Sequence, residues 1–255
     1  LPPAPCPVQS PPMAATEPLP EPDRLEGAPH PRETGAVFGH GQAQATFLQA
    51  FTSGRLHHAW MLTGPKGVGK ATLAWRLSRF LLATPDDDGG MFAAPPPETL
   101  DIPPENPVSR RMLQLAEPRH FLLRRGPNDK ETALSQIITV DEVRKMKSFF
   151  ALSAADGGRR TAIIDAVDEM NANAANALLK LLEEPPENVT LFLIAHQPAR
   201  LLPTIRSRCR ELRLSPLGPQ DLADALTQAG GDVDPKDRTA LAELSGGSVG
   251  EAFRL

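Results

Sequence analysis

One junction constrains this chain more than any other feature. A short apolar run, Ala59-Trp-Met-Leu-Thr63, leads directly into Gly64-Pro-Lys-Gly-Val-Gly69-Lys70, and a helical pattern with Leu73, Leu77, Phe80 and Leu81 on one face follows to about Leu82. A buried strand, a glycine-rich turn and a helix N-terminus in that order build a cradle for phosphate. The glycines let backbone amides converge on the anion, the helix end adds positive potential, and the lysine reaches the outermost phosphates. Gly64-x4-Gly69-Lys70 has the spacing of a phosphate loop. The position after the lysine ordinarily carries the hydroxyl that binds Mg²⁺. Here it is Ala71, and Thr72 comes one residue late, turned by ~100° around the helix. Gly64, Pro65, Lys66, Gly67, Val68, Gly69, Lys70, Ala71 and Thr72 therefore read as a nucleotide cradle with a poor hold on Mg²⁺. A turn of the same shape without any ligand is the competing reading.

A second apolar strand, Thr161–Asp165, ends in an acid. In phosphate-loop sites such a strand supplies one carboxylate on the metal side and another that orients the attacking water. Asp165 is the metal-side candidate. Ala166 stands where the second carboxylate belongs, and Asp168 and Glu169 lie beyond it. The preferred reading of that pair is first-turn acids, favoured by the helix dipole.

Further strands are expected at Phe121–Arg124, Ile137–Thr139, Val189–Ala195 and Glu211–Leu214, and helices over 43–53, from the Thr139-Val-Asp-Glu142 capping box, and over Asn173–Glu184. Strands with two-sided apolar character alternating with helices predict an α/β fold, a parallel sheet with helices on both faces. After Pro216 the pattern is purely helical. The expected division is a disordered Pro-rich tail over 1–36, the α/β domain over 37–215 with a mobile acidic insertion at 84–109, and a small helical lid over 216–255.

Composition excludes several classes. The chain carries a net charge of −4 and two cysteines, Cys6 and Cys209, too few for a disulfide framework or a four-thiolate zinc site. No apolar run reaches the length of a membrane span, and no signal peptide is legible. A cytoplasmic location is expected, with no membrane partner. The first residue is Leu1, which leaves the true start upstream or at Met13.

Three more segments narrow the reading: Asn176-Ala-Leu-Leu-Lys-Leu-Leu-Glu-Glu-Pro-Pro186, Phe192-Leu-Ile-Ala-His-Gln-Pro-Ala-Arg-Leu-Leu-Pro-Thr-Ile-Arg206 and Ser207-Arg-Cys209. With the phosphate loop and the acidic strand in this order, the chain from about Phe38 to Leu255 resembles AAA+ clamp-loader subunits of bacterial DNA polymerase III. Ala71, Ala166 and Gly250, the last standing where motor subunits carry a nucleotide-sensing arginine, make it most similar to the delta-prime branch.

The resemblance implies a P-loop NTPase (AAA+) fold and a stator without ATPase activity of its own. Its partners would be the motor ATPase and delta subunits, the sliding clamp indirectly, and primed DNA through the complex. It implies ATP or ADP as the nucleotide, if one is held, and Arg208 as an arginine finger acting on the neighbour's ATP, against the alternative of a solvated helix-end arginine. Arg206 and Arg210 read as surface charges and Cys209 as a small buried residue. His196 falls near the family's polar sensor and reads equally as a plain strand-end histidine. Many relatives carry a four-cysteine zinc module where 84–109 stands; this stretch has no cysteine, so no zinc is expected, and the family's helical collar would follow residue 255. An active motor-type ATPase and a small-molecule P-loop kinase are the alternatives. The motor lacks its residues at 71, 166 and 250, and the kinase has no use for the Leu-Leu-Glu-Glu-Pro-Pro and Ser-Arg-Cys elements.

Overall fold

The computed structural model describes residues 19–85, 95–128, 130, 132–152 and 158–255. The junction read in the sequence lies inside the sheet, between the central strand and one edge. Strand β1 (Ala59–Thr63) is buried along its whole length, and helix α2 (Lys70–Ala83) leaves the loop that follows it. Around β1 stand β2 (His120–Arg124), β3 (Arg160–Asp165), β4 (Val189–Ala195) and β5 (Arg210–Arg213), in the order β2-β3-β4-β1-β5 with every pairing parallel.

A parallel sheet needs cover on both faces, and β4 shows how the sequence supplies it. Phe192 and Ile194 face a core shared with α1 (Gly41–Thr52), α2 and α3 (Pro107–Leu113), where Phe47, Trp60, Trp75 and Phe80 are buried. The alternate residues Leu191, Leu193 and Ala195 face a second core under α4 (Val140–Leu152), α5 (Ala172–Glu183) and α6 (Pro203–Arg206). Each buried Leu, Ile or Phe there contributes about 1.5–3 kcal/mol, so both faces depend on β4 keeping its period of two. Beyond β5 the chain is helical: α7 (Pro219–Gln228), α8 (Arg238–Leu244) and α9 (Val249–Ala252) close over Leu217, Leu222, Leu226 and Ala242.

Three expectations are corrected. The tail does not hold as a disordered segment over residues 19–36. His30 is fully buried, its ring edge-on to Trp75 at 5.9 Å, and Pro31–Glu33 form a 3-10 turn. Arg32 pairs with Glu21 at 2.7 Å, Arg124 pairs with Asp23, and Arg79 donates to the Arg32 carbonyl at 2.8 Å. Ion pairs replace the apolar residues that the segment lacks. The insertion is not mobile over 95–109: Leu100 is buried, Arg76 holds Asp101 at 2.7 Å, and Asn106 caps α3 by accepting from the Val108 amide at 2.9 Å. Residues 1–18 and 86–94 lie outside the described residues. Ile137–Thr139 is not a strand. Ile138 makes a single parallel bridge to Met170, because α4 begins at Val140 and leaves no room for a second rung.

Candidate nucleotide cleft and the Ser-Arg-Cys edge

The loop after β1 has the backbone that a phosphate cradle requires. Gly64 (φ 141°), Gly67 (φ 79°) and Gly69 (φ 100°) all take positive φ, a region that L side chains avoid. Two of them are also packed too closely for any side chain. A Cβ on Gly64 would collide with the Leu214 carbonyl, and one on Gly67 with the Ser248 hydroxyl. Lys70 opens α2 and is almost fully buried. Its Nζ donates to the carbonyls of Gly64 at 2.7 Å and Pro65 at 2.5 Å. Burial pushes its pKa down to about 8, against the opposing pull of Asp165 and Asp168. His40, at the start of α1, donates from Nε2 to the Val68 carbonyl at 2.7 Å and so props the loop from behind.

Parallel order brings the ends of β1, β4 and β3 side by side, so Lys70, His196 and Asp165 meet at one edge, as in α/β sheets whose ligands bind at the carboxyl ends of strands. Burial pushes the Asp165 carboxyl up to about 7, with Asp23 and Glu169 adding to the rise and Lys70 opposing it. Ala166 is buried in the first core, so its methyl serves packing where a second carboxylate was sought.

Asp168 has a role that neither sequence reading anticipated. Its carboxylate accepts from the backbone amides of His196 at 3.2 Å and Gln197 at 2.9 Å, stapling the turn after β3 to the end of β4. Glu169 pairs with Arg125 at 3.0 Å. The His196 ring lines the cleft, and burial, helped by Lys70 and Lys66, pushes its pKa down to about 4. It is therefore neutral at pH 7.

These groups line a cleft of about 310 Å³. Lys66 to Thr72 and Asp165 form one wall; Gly64 and Pro65 stand behind it as acceptors for Lys70. Two further walls were missed in the sequence. One is the N-terminal strap, including Asp23, Arg24 and Leu25. Within it the His30 Nδ1 accepts from the Arg32 amide at 3.1 Å, so Nε2 carries the proton and faces Asp23 at 3.0 Å. Glu33 accepts from the His30 amide at 3.0 Å, which completes a capping box. His30-Pro31-Arg32-Glu33, with Pro at the first helical position, was the signal that could have revealed it.

The other wall is the lid, which touches the loop directly. The Ser248 hydroxyl donates to the Lys66 carbonyl at 3.0 Å and the Val249 amide to the Gly67 carbonyl at 3.0 Å. Gly250, where a sensing arginine was sought, packs against Gly67.

Arg208 belongs to a different place, the turn between α6 and β5, and does not line the cleft. Its Nη1 donates to the Thr204 carbonyl at 3.0 Å and its Nη2 lies 2.8 Å from Glu183 Oε1. The side chain is 36% exposed. Cys209 next to it packs against the second core, and burial pushes its thiol up to about 12, which leaves it unreactive. Arg210 lies over the Trp60 ring at 5.1 Å.

A phosphate loop after β1, an acid closing β3 and a helical lid seated on the loop, all on a sheet of this order, define a P-loop protein of the AAA+ class. The same fold occurs in the Holliday junction branch migration motor RuvB of Thermotoga maritima, at a TM-score of 0.52 and 15% identity over 88% of this chain and 64% of that one, a likeness that speaks for the fold alone. Within the class, the family model described as "DNA polymerase III, delta subunit" matches residues 39–218, and the chain belongs to that family. It is 35% identical to DNA polymerase III subunit delta' of Pseudomonas aeruginosa over 83% of its length and 60% of the relative's. With the delta' subunit of Bacillus subtilis it shares 31% over 79% of its length and 54% of the relative's. The chain thus spans somewhat more than half the length of these two relatives. No helix among the described residues is long and apolar enough to cross a membrane.

Proposed function

We propose that this chain serves DNA replication as the stator, or delta-prime, subunit of the DNA polymerase III clamp loader. In this reading it works in the cytoplasm beside the motor ATPase and delta subunits and helps the complex place the sliding clamp on primed DNA. It offers Arg208 in trans to the ATP of a neighbouring subunit and hydrolyses none itself. The supporting observation is an asymmetry: the groups that would act on a nucleotide in its own cleft are replaced or engaged, while Arg208 is exposed at another edge.

The cleft residues fit the phosphates of ATP or ADP. Those phosphates would meet the loop amides, the N-terminus of α2 and the Lys70 ammonium. The same residues do not fit Mg²⁺, which would face the Ala71 methyl where a hydroxyl ligand is needed, so no hydrolytic step is routed through it.

A guanidinium supplied across an interface accelerates phosphoryl transfer by ~10³–10⁵. The assembled loader carrying Arg208→Ala should therefore lose ATP hydrolysis by about that factor, while the purified chain releases no phosphate with or without the substitution. Full hydrolysis by the variant loader would refute the finger. Phosphate release by the purified chain would favour the alternative, an active motor-type ATPase, for which the intact Gly64–Lys70 cradle speaks.

A further inference from the structure

Two of the segments that carry the resemblance, Leu181-Leu-Glu-Glu-Pro-Pro186 and Ser207-Arg-Cys209, are joined in space by an ion pair. Glu183 is the last residue of α5, and its Oε1 lies 2.8 Å from Arg208 Nη2. A carboxylate there faces the negative end of the helix dipole, so local helix energetics do not account for it. Nor does fold stability, because the two side chains are 43% and 36% exposed and pairs this open add little to stability.

The pair does order the arginine. Thr204 O holds Nη1 from α6 and Glu183 holds Nη2 from α5, so the guanidinium is gripped from two elements. A guanidinium presents five N–H donors. Glu183 and Thr204 take one each, and among the described residues the rest of the fork is left for an incoming phosphate. Cys209, packed against the core, fixes the backbone beside it.

We propose that Glu183 is a positioning residue for the arginine finger. It immobilises the Arg208 guanidinium before the neighbour's nucleotide arrives, so less freedom is lost when the transition state forms. This rests on the finger role proposed above for Arg208.

The test measures ATPase kcat and KM of the assembled loader carrying Glu183→Ala, Glu183→Gln, Arg208→Ala or the Glu183→Ala/Arg208→Ala pair. Glu183→Ala should lower kcat about two- to fivefold with KM unchanged. Glu183→Gln, whose amide oxygen still accepts, should retain most of the rate. In the Arg208→Ala background, Glu183→Ala should have no further effect. An equal loss in that background, or a wild-type kcat for Glu183→Ala while Arg208→Ala is inactive, would overturn the positioning role alone. An active Arg208→Ala loader would overturn the finger and this inference with it. If a variant fails to assemble, the ¹⁵Nε signal of Arg208 in the isolated chain decides. It should broaden through exchange in Glu183→Ala and recover in Glu183→Gln, and an unchanged signal in both would also overturn the proposal.

Discussion

The phosphate cleft and the Ser-Arg-Cys edge are both built around a long cation, and the chain treats the two in opposite ways. Lys70 is buried, its ammonium bonded to carbonyls of its own loop, its pKa pushed down to about 8 and its surroundings closed by strap and lid. Arg208 is more than one-third exposed and held by one carbonyl and one exposed carboxylate. Ala166 fills core where a second carboxylate was expected, and Gly250 lets the lid lie on Gly67. Under the proposed function, a catalytic fold would keep its architecture in the cleft without the reaction, while Arg208 keeps a reactive role at another edge. Gly64 and Gly67 are also needed for packing, so a loss of the reaction would not release them.

The contrast breaks most visibly at Arg208. Arg208→Lys keeps the charge but removes the planar fork, and under the proposed role it should leave the assembled loader nearly as inactive as Arg208→Ala, down by ~10³ in ATPase rate. Recovery of the rate by lysine would mean that charge alone suffices. At the cleft the largest effect falls on folding. Gly64→Ala sets a Cβ against the Leu214 backbone carbonyl at a φ of 141°, and neither atom belongs to a side chain that can swing away. A loss of about 3 kcal/mol is expected, read from the urea midpoint. A wild-type midpoint would show that the loop can relax, and that packing does not preserve its glycines.

What was legible in the sequence was what depends on local pattern. The run Val189–Ala195 is continuous and apolar because a parallel strand is buried on both faces, and the Thr139 capping box placed the start of α4 at Val140. The phosphate loop and Asp165 were legible for the same reason, since strand, turn and helix follow one another along the chain. The strap was not. Its Pro, Glu and Arg residues carry no period, and Glu21 and Asp23 find their partner Arg124 more than one hundred residues away. The Asp168 staple and the Glu183–Arg208 pair share that character: each joins elements through a charge, and a charge at the surface of a pattern looks the same whether it is solvated or paired.

The titration of Asp165 reports how dry the cleft is. Its carboxyl is raised to about 7, so the folded chain binds this proton more tightly than the unfolded one. The stability it contributes is full below about pH 4 and is lost as the pH rises to about 7. The carboxyl carbon should show a midpoint near 7 by NMR. Asp23→Asn, which removes the like charge contributed by the strap, should move that midpoint down. A wild-type midpoint in the ordinary aspartate range would mean that strap and lid do not dry the cleft.

The smallest expected effect concerns the contact that closes the cleft from the lid side. Ser248 caps α9 by accepting from the Glu251 amide at 3.2 Å while its hydroxyl proton goes to the Lys66 carbonyl at 3.0 Å. One side chain thus serves both the helix and the loop. Ser248→Ala should cost about 1 kcal/mol, the usual value of a lost N-cap, and should speed amide exchange in both α9 and the loop at 66–68. Ser248→Gly should cost less, because glycine is tolerated at a cap, yet it should speed loop exchange as much as alanine does. If exchange rises only in α9, the hydroxyl is a cap and nothing more. In that case the lid is held on the loop by the Val249 amide and by the close packing of Gly67 against Gly250.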